Sequence, residues 1–278
     1  MIHLGLVGYP LKHSLSPNIH STALKACGLE GDYSLFPILP DDKQGLEDLL
    51  ARLRSGEITG LNITIPHKQN IIPFLDELTP TAKAIGAVNA IYYRNNKLIG
   101  DNTDASGFLC DLKRFIGNQE SKIANRKSAL ILGAGGSARA VIYALLDDGW
   151  NVVVSARRIE QAQQLVASFA PRELRTMNYQ NFNTEISTFN LIVNTTPVGM
   201  TPNIDQSPWP DGFQFPQQAM VYDLVYNPRE TKLVKDACSA GLSATTGLGM
   251  LIEQAALAFE IWTGRNPTRK ILFESINH

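Results

Sequence analysis

Cysteine is scarce in this sequence. Cys27, Cys110 and Cys238 are the three in 278 residues, and no two form a C-x-x-C pair. That spacing argues against a zinc site and fits a reducing compartment. Blocks of one charge are missing too. Lys and Arg number 25 and Asp and Glu 26, for a net charge of −1. Nucleic acid is therefore not suggested as a partner. No apolar run is long enough to span a membrane, so no membrane partner is expected. The opening MIHLGLVGYP lacks the basic and apolar regions of a signal peptide, and the expected location is the cytoplasm. Internal repeats and low-complexity segments are absent. His3, His13, His20 and His67 stand at no ligand spacing, so no metal is expected. What is present is 44% hydrophobic and 18% charged residues, the balance of a globular chain with a full core. The length allows one or two domains.

The strongest local signal is SALILGAGGSARAVIYALLDDGW, Ser128–Trp150. Ser128–Leu132 reads as a buried parallel strand. Gly133, Gly135 and Ala138 follow at G-x-G-x-x-A spacing, then a helical apolar pattern at Val141, Leu145 and Leu146. Strand, glycine turn and helix are the context of a dinucleotide-binding loop. Gly133 permits the turn, Gly135 lets backbone approach a pyrophosphate, and Ala138 lets helix pack close to strand. The helix N-terminus offers its unpaired N–H groups to phosphate. A tight βα turn that binds nothing is the plainer alternative.

Before this stretch, strands are read at Leu4–Val7, Tyr33–Ile38 and Leu61–Ile65, with a hairpin formed by Ala87–Tyr93 and Leu98–Gly100. Helices follow Ser16–Pro17, with Ser16 as N-cap, and carry Leu46, Leu49, Leu50 and Leu53. Thr103 or Asp104 caps a further helix. After it, Asn118–Lys127 reads as a polar loop. Strands Val152–Ser155, Leu191–Thr195 and Val221–Val225 continue the rhythm, and Asn227-Pro228-Arg229-Glu230 resembles a capping box. Helices Gly247–Thr263 and Pro267–Ile276 close the chain. Alternating strands and helices predict an α/β fold with mostly parallel sheets.

Polar residues at strand ends are the candidates for chemistry, because open α/β sheets bind ligands there. Ser14 and Ser16 suit a carboxylate or polyol, although Ser16 alone is equally an N-cap. Asn62 and Thr64 alternate along one strand face, with Leu61, Ile63 and Ile65 on the other. Lys68 follows at once and is placed to polarise a carbonyl or move a proton, although an exposed lysine is the commoner case. Asn89 is an amide in an apolar strand. Asp104 lies in GDNTD at a strand-to-helix junction, and Gln254 lies on an apolar helix face.

These stretches occur together. HSLSP, NITIPHK, GAVNA, GDNTDASGF, GAGGSARA, VNTTPVGM, YDLVYNP and TGLGMLIEQAA follow one another in this order. Each is weak alone, and eight in sequence are specific. The set resembles the shikimate dehydrogenase (shikimate/quinate dehydrogenase) family over nearly the whole chain. The resemblance implies two α/β domains with a cleft between them: an N-terminal substrate domain with a mostly parallel sheet, residues 1–104 plus 245–278, and a Rossmann-type dinucleotide-binding domain, residues 105–244. It implies NADP-dependent reduction of 3-dehydroshikimate to shikimate in aromatic amino-acid biosynthesis. Ser14 and Ser16 would hold the carboxylate. Asn62, Thr64, Asn89, Asp104 and Gln254 would bind the ring hydroxyls, and Lys68 with Asp104 would be the catalytic pair. Gly133, Ala134, Gly135, Gly136, Ser137 and Ala138 would cradle the pyrophosphate. Thr195, Met200, Leu224, Tyr226, Gly247 and Met250 would lie about the nicotinamide or the substrate beside it.

The sequence departs from the family pattern in three places. The strand after the glycine helix, which often ends Asn-Arg-Thr, here reads Ala156-Arg157-Arg158, and a later arginine appears as Gln161. The phosphate clamp is therefore expected to be built differently. The residue before the lysine, often Phe, is His67. An NAD enzyme places an acid about 20 residues after the first glycine. Val152–Arg158 contains none, and two arginines suit a 2′-phosphate, so the expected cofactor is NADP. A quinate/shikimate dehydrogenase and a non-catalytic dinucleotide sensor are the rival readings. Monomer and homodimer both stay open.

Overall fold

The computed structural model describes residues 1–117, 127–170, 172, 174–178 and 185–276. Of the loop read at Asn118–Lys127, all but Lys127 lies outside the described residues. The chain divides into two compact units, Met1–Gly107 with Leu251–His278, and Phe108–Met250. Both divisions fall inside helices, a few residues later than the expected 104/105 and 244/245.

The first unit is built on a six-stranded sheet of order β2-β1-β3-β5-β6-β4. Its strands are β1 (Ile2–Gly8), β2 (Gly31–Pro37), β3 (Gly60–Ile63), β4 (Glu77–Leu78), β5 (Ala90–Arg94) and β6 (Lys97–Asp101). β1 pairs in parallel with β2 and β3, while β5 is antiparallel to both β3 and β6. The β5–β6 turn places Asn95 and Asn96 at positive φ, the backbone that a tight hairpin requires. Helices α1 (Ser16–Ala26), α2 (Lys43–Arg54), α3 (His67–Asn70) and α4 (Pro80–Ile85) lie between the strands. Asp42 Oδ1 caps α2 by accepting from Gly45 N at 2.9 Å. Leu46, Leu49, Leu50 and Leu53 then bury one face of α2 against Leu61, Ile63 and Ile91. Each such side chain contributes roughly 1.5–3 kcal/mol as an upper figure.

The second unit holds a six-stranded, all-parallel sheet of order β12-β11-β10-β7-β8-β9. Its strands are β7 (Ser128–Leu132), β8 (Asn151–Ser155), β9 (Leu174–Thr176), β10 (Leu191–Asn194), β11 (Met220–Asp223) and β12 (Ser243–Thr246). The order reverses between β7 and β10, the doubly wound arrangement whose ligand site lies outside the strands' C-terminal ends. After α5 (Asp104–Ile116), the helices are α6 (Gly136–Asp147), α7 (Ile159–Ala167) and α8 (Lys232–Ser239). Leu130, Leu132, Val153, Ile192, Val221 and Leu233 are buried together on one side of the sheet. α9 (Leu248–Thr263) and α10 (Arg269–Glu274) complete the fold, α10 packing on α1.

The structure corrects several local readings. Ser16 is the first residue of α1 and not its cap. Leu15 occupies the cap position, and Ser14 Oγ accepts from Ser16 N at 3.2 Å. β3 ends at Ile63, because the chain turns back at once and His67 N bonds Thr64 O. Ile65 is consequently 54% exposed and shares no buried face with Leu61 and Ile63. Asn227–Glu230 forms no capping box. Thr231 caps α8, its hydroxyl accepting from Val234 N while donating to the buried Asp223 carboxylate. One hydroxyl thereby meets two needs, which Asn227 does not. The short elements β4, α4, β9 and β12 were not among the expectations from sequence.

Candidate active site

In the first unit, strand direction gathers the candidates at one sheet edge. β1 and β3 are parallel, so the loops carrying Ser14 and Lys68 leave the sheet on the same side. β5 runs the other way, with Ala90 opposite Asn62, so Asn89 enters β5 at that edge. β6 reverses again, with Asp101 opposite Ala90, and delivers Asp104 there.

The centre of this edge is an ion pair. Lys68 Nζ donates to Asp104 Oδ2 at 2.6 Å, and the two side chains are only 12% and 5% exposed. The other carboxylate oxygen, Oδ1, accepts from Asn89 Nδ2 at 2.8 Å. Asn89 Oδ1 in turn accepts from Thr103 N at 2.7 Å. Its Nδ2 also lies near Thr103 Oγ1 and Gln254 Oε1. Asn89 is almost fully buried, and its amide is committed to holding Asp104.

Asp104 is free for this pairing because it is not the cap of α5. Asn102 Oδ1 accepts from Asp104 N at 3.1 Å and Ala105 N at 3.4 Å, while its amide donates to Ala87 O. Thr103 Oγ1 reaches the Gln254 carbonyl at 3.1 Å, tying the start of α5 to α9. Gly107 continues that contact: a Cβ there would sit 2.8 Å from Gln254 N.

Around the pair, Asn62 accepts from Tyr33 OH at 2.8 Å and donates to Asn89 O at 3.2 Å. Thr64 is half-buried, and its methyl occupies the space over Gly8. Ser14 and Ser16 stand together at the head of α1. Gln254 is half-buried and anchored by Nε2 to Leu251 O. Reading from sequence names Thr103 as a possible cap of α5 and passes over Asn102 and Tyr33. Asn102 and Thr103 stand inside the quoted GDNTD, but nothing in spacing separates the cap from the acid.

In the second unit, the dinucleotide candidates share the C-terminal edge of the parallel sheet. Gly133 follows β7 with φ +115°, a conformation that favours glycine, and a Cβ there would lie 2.6 Å from Thr195 Oγ1. Gly135 differs: a Cβ there would meet no atom of the described residues beyond its chain neighbours, so packing does not account for a glycine at this position. Gly135 is the N-cap of α6 and supplies no side-chain cap, so the first turn of α6 opens on backbone N–H groups of the kind that suit an anion. Ala138 is fully buried against the sheet, and Ala134, Gly136 and Ser137 are half-buried. Arg157 and Arg158 are exposed beyond β8, with Ala156 half-buried before them. Neither arginine has an ion-pair partner among the described residues. These features fit a 2′-phosphorylated dinucleotide.

The remaining candidates are placed separately. Thr195 hydrogen-bonds Leu132 O beside the glycine turn, and Gly247 packs on the Leu224 carbonyl, which a Cβ would approach to 2.3 Å. Met200 is 41% exposed, whereas Met250 is buried in the first turn of α9. Burial raises the Tyr226 phenol above its ordinary pKa, which keeps it protonated. Behind the Thr195 and Leu224 loops, Asp223 is fully buried, and burial raises its pKa to about 6. It accepts from Asn194 Nδ2, Val225 N and Thr231 Oγ1. Among the described residues no cluster of His, Cys, Asp or Glu could hold a metal ion, and no helix is long and apolar enough to cross a membrane.

A Rossmann-type unit joined to an α/β unit bearing a buried Lys–Asp pair defines a dinucleotide-dependent oxidoreductase. Known proteins narrow the class. Residues 6–91 match the shikimate dehydrogenase substrate-binding domain, residues 116–234 the shikimate/quinate 5-dehydrogenase model, and residues 247–271 the shikimate 5′-dehydrogenase C-terminal domain. The shikimate dehydrogenase (NADP(+)) of Salinibacter ruber is 40% identical over 278 aligned positions, covering 98% of this chain and 95% of that one. A shikimate dehydrogenase crystallised with NADP+ superposes with a TM-score of 0.87 at 36% identity, covering 99% of this chain and 94% of that one. The Thermus thermophilus shikimate 5-dehydrogenase, in complex with NADP(H) and shikimate, gives 0.85 at 36% identity, covering 99% and 98%. The chain belongs to the shikimate dehydrogenase family.

Proposed function

We propose that this chain catalyses the reversible, NADP-dependent reduction of 3-dehydroshikimate to shikimate in aromatic amino-acid biosynthesis, in the cytoplasm, with Lys68 as proton donor and Asp104 as its orienting partner. The observation that carries this reading is the 2.6 Å pair between Lys68 Nζ and Asp104 Oδ2. Substrate and proton chemistry belong to residues 1–104 plus 245–278, and the cofactor to residues 105–244. One copy of the chain contains every residue the chemistry needs, so the reading does not require a dimer.

Gly133–Ala138 would hold the pyrophosphate of NADPH and Arg157 and Arg158 its 2′-phosphate, and the bound cofactor would supply the hydride. Reduction of the ketone carbon leaves negative charge on its oxygen, and Lys68 answers that charge by donating a proton from Nζ. Asp104 accepts from Nζ and fixes its direction. Asn89 prevents the carboxylate from rotating away. Because Lys68 keeps 12% of its side-chain surface exposed, solvent can restore the proton. Ser14 and Ser16 hold the substrate carboxylate, and Asn62, Thr64 and Gln254 the ring hydroxyls.

Proton donation of this kind is worth ~10²–10⁴ in rate. Lys68→Ala is expected to lower kcat by at least ~10²-fold with a much smaller change in the KM for shikimate. Asp104→Asn is expected to damage both constants. The assay is NADP-coupled oxidation of shikimate, with quinate in parallel to measure the preference between the two acids. Near-normal kcat with a raised KM in Lys68→Ala would reduce the lysine to a binding group and move the search for the donor to Tyr226 or water.

A further inference from the structure

His67, the residue before Lys68, has no part in the chemistry above, yet it is fully buried. The geometry points to His67 as a positioning residue that fixes the backbone carrying Lys68. This inference rests on the reading of Lys68 as proton donor.

The argument starts from the shortness of α3. His67–Asn70 is a single helical turn, and one turn does not sustain its own geometry in water. Something outside it must hold it. One anchor is the Lys68 carbonyl, which accepts from Val88 N at 2.7 Å. Another is the His67 ring, whose Nε2 lies 2.8 Å from the Ile38 carbonyl oxygen. A carbonyl only accepts, so Nε2 carries the hydrogen and is the donor. Nδ1 is buried and finds no hydrogen-bond partner among the described residues. A phenyl ring would fill similar space without an unpaired nitrogen. What the imidazole adds is its donor.

That donor reaches well-anchored backbone. Ile38 follows β2, and its own N–H bonds Gly8 O at the end of β1 at 3.1 Å. The His67 bond therefore ties the lysine turn to the strand ends from which the Ser14 loop departs. Val88 ties it on the opposite flank, next to Asn89. Lys68 must reach Asp104 through a flexible four-carbon stem, so a small rotation of its backbone becomes a large displacement at Nζ. A misplacement of about 1 Å at a reacting group can cost on the order of 10²-fold in rate.

The test compares H67F, which keeps a flat ring and loses the donor, with H67Q, whose Nε2 amide can reach the same carbonyl. We expect H67F to keep KM for shikimate and NADP+ within about 2-fold while kcat falls ~10-fold. H67Q should recover kcat to within about 3-fold of wild type. Should H67F not fold, H67N, whose amide is too short for Ile38, replaces it against H67Q. Wild-type kcat in the donor-less variant, equal losses in both variants, or a parallel rise of KM would each overturn the inference. Lys68→Ala in the same assay separates the two claims. If it keeps its kcat, the proton-donor reading fails and this inference with it. If it loses kcat while H67F does not, only the positioning role fails.

Discussion

His20 gives the sharpest quantitative handle on the first unit. It is fully buried on α1, stacked on Tyr33 with ring centroids 4.4 Å apart, and faced by Trp262 at 5.5 Å. Burial lowers its pKa from 6.5 to about 3, with Asn62 partly opposing the shift. The folded state thus refuses a proton that the unfolded chain accepts below pH 6.5. Stability from this group is complete above that pH and is lost as pH falls toward 3. One pKa unit corresponds to about 1.36 kcal/mol, so the full loss approaches ~5 kcal/mol, and at pH 5 it is already ~2 kcal/mol. Against a usual total of roughly 5–15 kcal/mol, that is readily measured. His20→Phe keeps a ring against Tyr33 and removes the titration. The assay is urea unfolding of both proteins from pH 7.5 to 5, followed by far-UV circular dichroism and by fluorescence, with Trp262 the one tryptophan of this unit. The useful quantity is the difference between the two free energies, because the other titrating groups cancel in it. The difference should move by ~2 kcal/mol in favour of His20→Phe on going to pH 5. A difference constant to within about 0.5 kcal/mol would refute the argument, whatever packing cost the phenyl ring adds.

The remaining predictions concern the second unit. Replacing both Arg157 and Arg158 by Ala should weaken NADP+ binding by at least ~10-fold, from loss of charge-assisted contacts to the 2′-phosphate, and leave NAD+ binding nearly unchanged. Calorimetric titration with the two dinucleotides decides this, and equal effects on both would remove the arginines from cofactor choice. Asp223 titrates in the opposite sense to His20, because burial raises its pKa from 3.8 to about 6. The folded state holds a proton that the unfolded chain has released, so stability falls as pH rises across that window, by up to ~3 kcal/mol in total. Asp223→Asn should therefore be the more stable protein at pH 8, with the Thr231 hydroxyl turned to accept from the new amide. Its advantage should disappear near pH 4, and thermal unfolding at both pH values with no change in the gap would contradict the reasoning.

Much of this fold is legible in sequence because its elements are amphipathic or wholly apolar. The leucines of α2, the apolar run of β7 and the glycine turn after it each carry a period or a composition that admits few alternatives. The short elements β4, β9 and β12 are held by their neighbours in the sheet, and two to four residues leave no period to read. Cap assignments failed for a different reason. At Ser14–Ser16 and at Asn227–Thr231, several side chains have the right chemistry, and the choice is made by what else each must satisfy. Thr231 wins at α8 because a buried carboxylate, Asp223, lies within reach of the same hydroxyl. His67 is the extreme case, since its partner is a backbone carbonyl that only the folded chain brings near.

The same logic explains how one carboxylate among several polar residues in GDNTD becomes the partner of Lys68. Spacing offers no guide, as the two residues stand 36 positions apart. The sheet decides. Pairing of Ala90 with Asp101 sets Asn89 across from the end of β6, where Asn89 N bonds Asp101 O. From there the Asn89 amide reaches both Thr103 N and Asp104 Oδ1. Asn102 meanwhile takes the first N–H groups of α5 and relieves Asp104 of the capping role that its position would otherwise impose. One oxygen of Asp104 is then occupied, and the other is left facing Lys68. A carboxylate that had to cap the helix would be turned toward its own backbone. Asn102 is what makes the acid available, and Asn89 is what aims it.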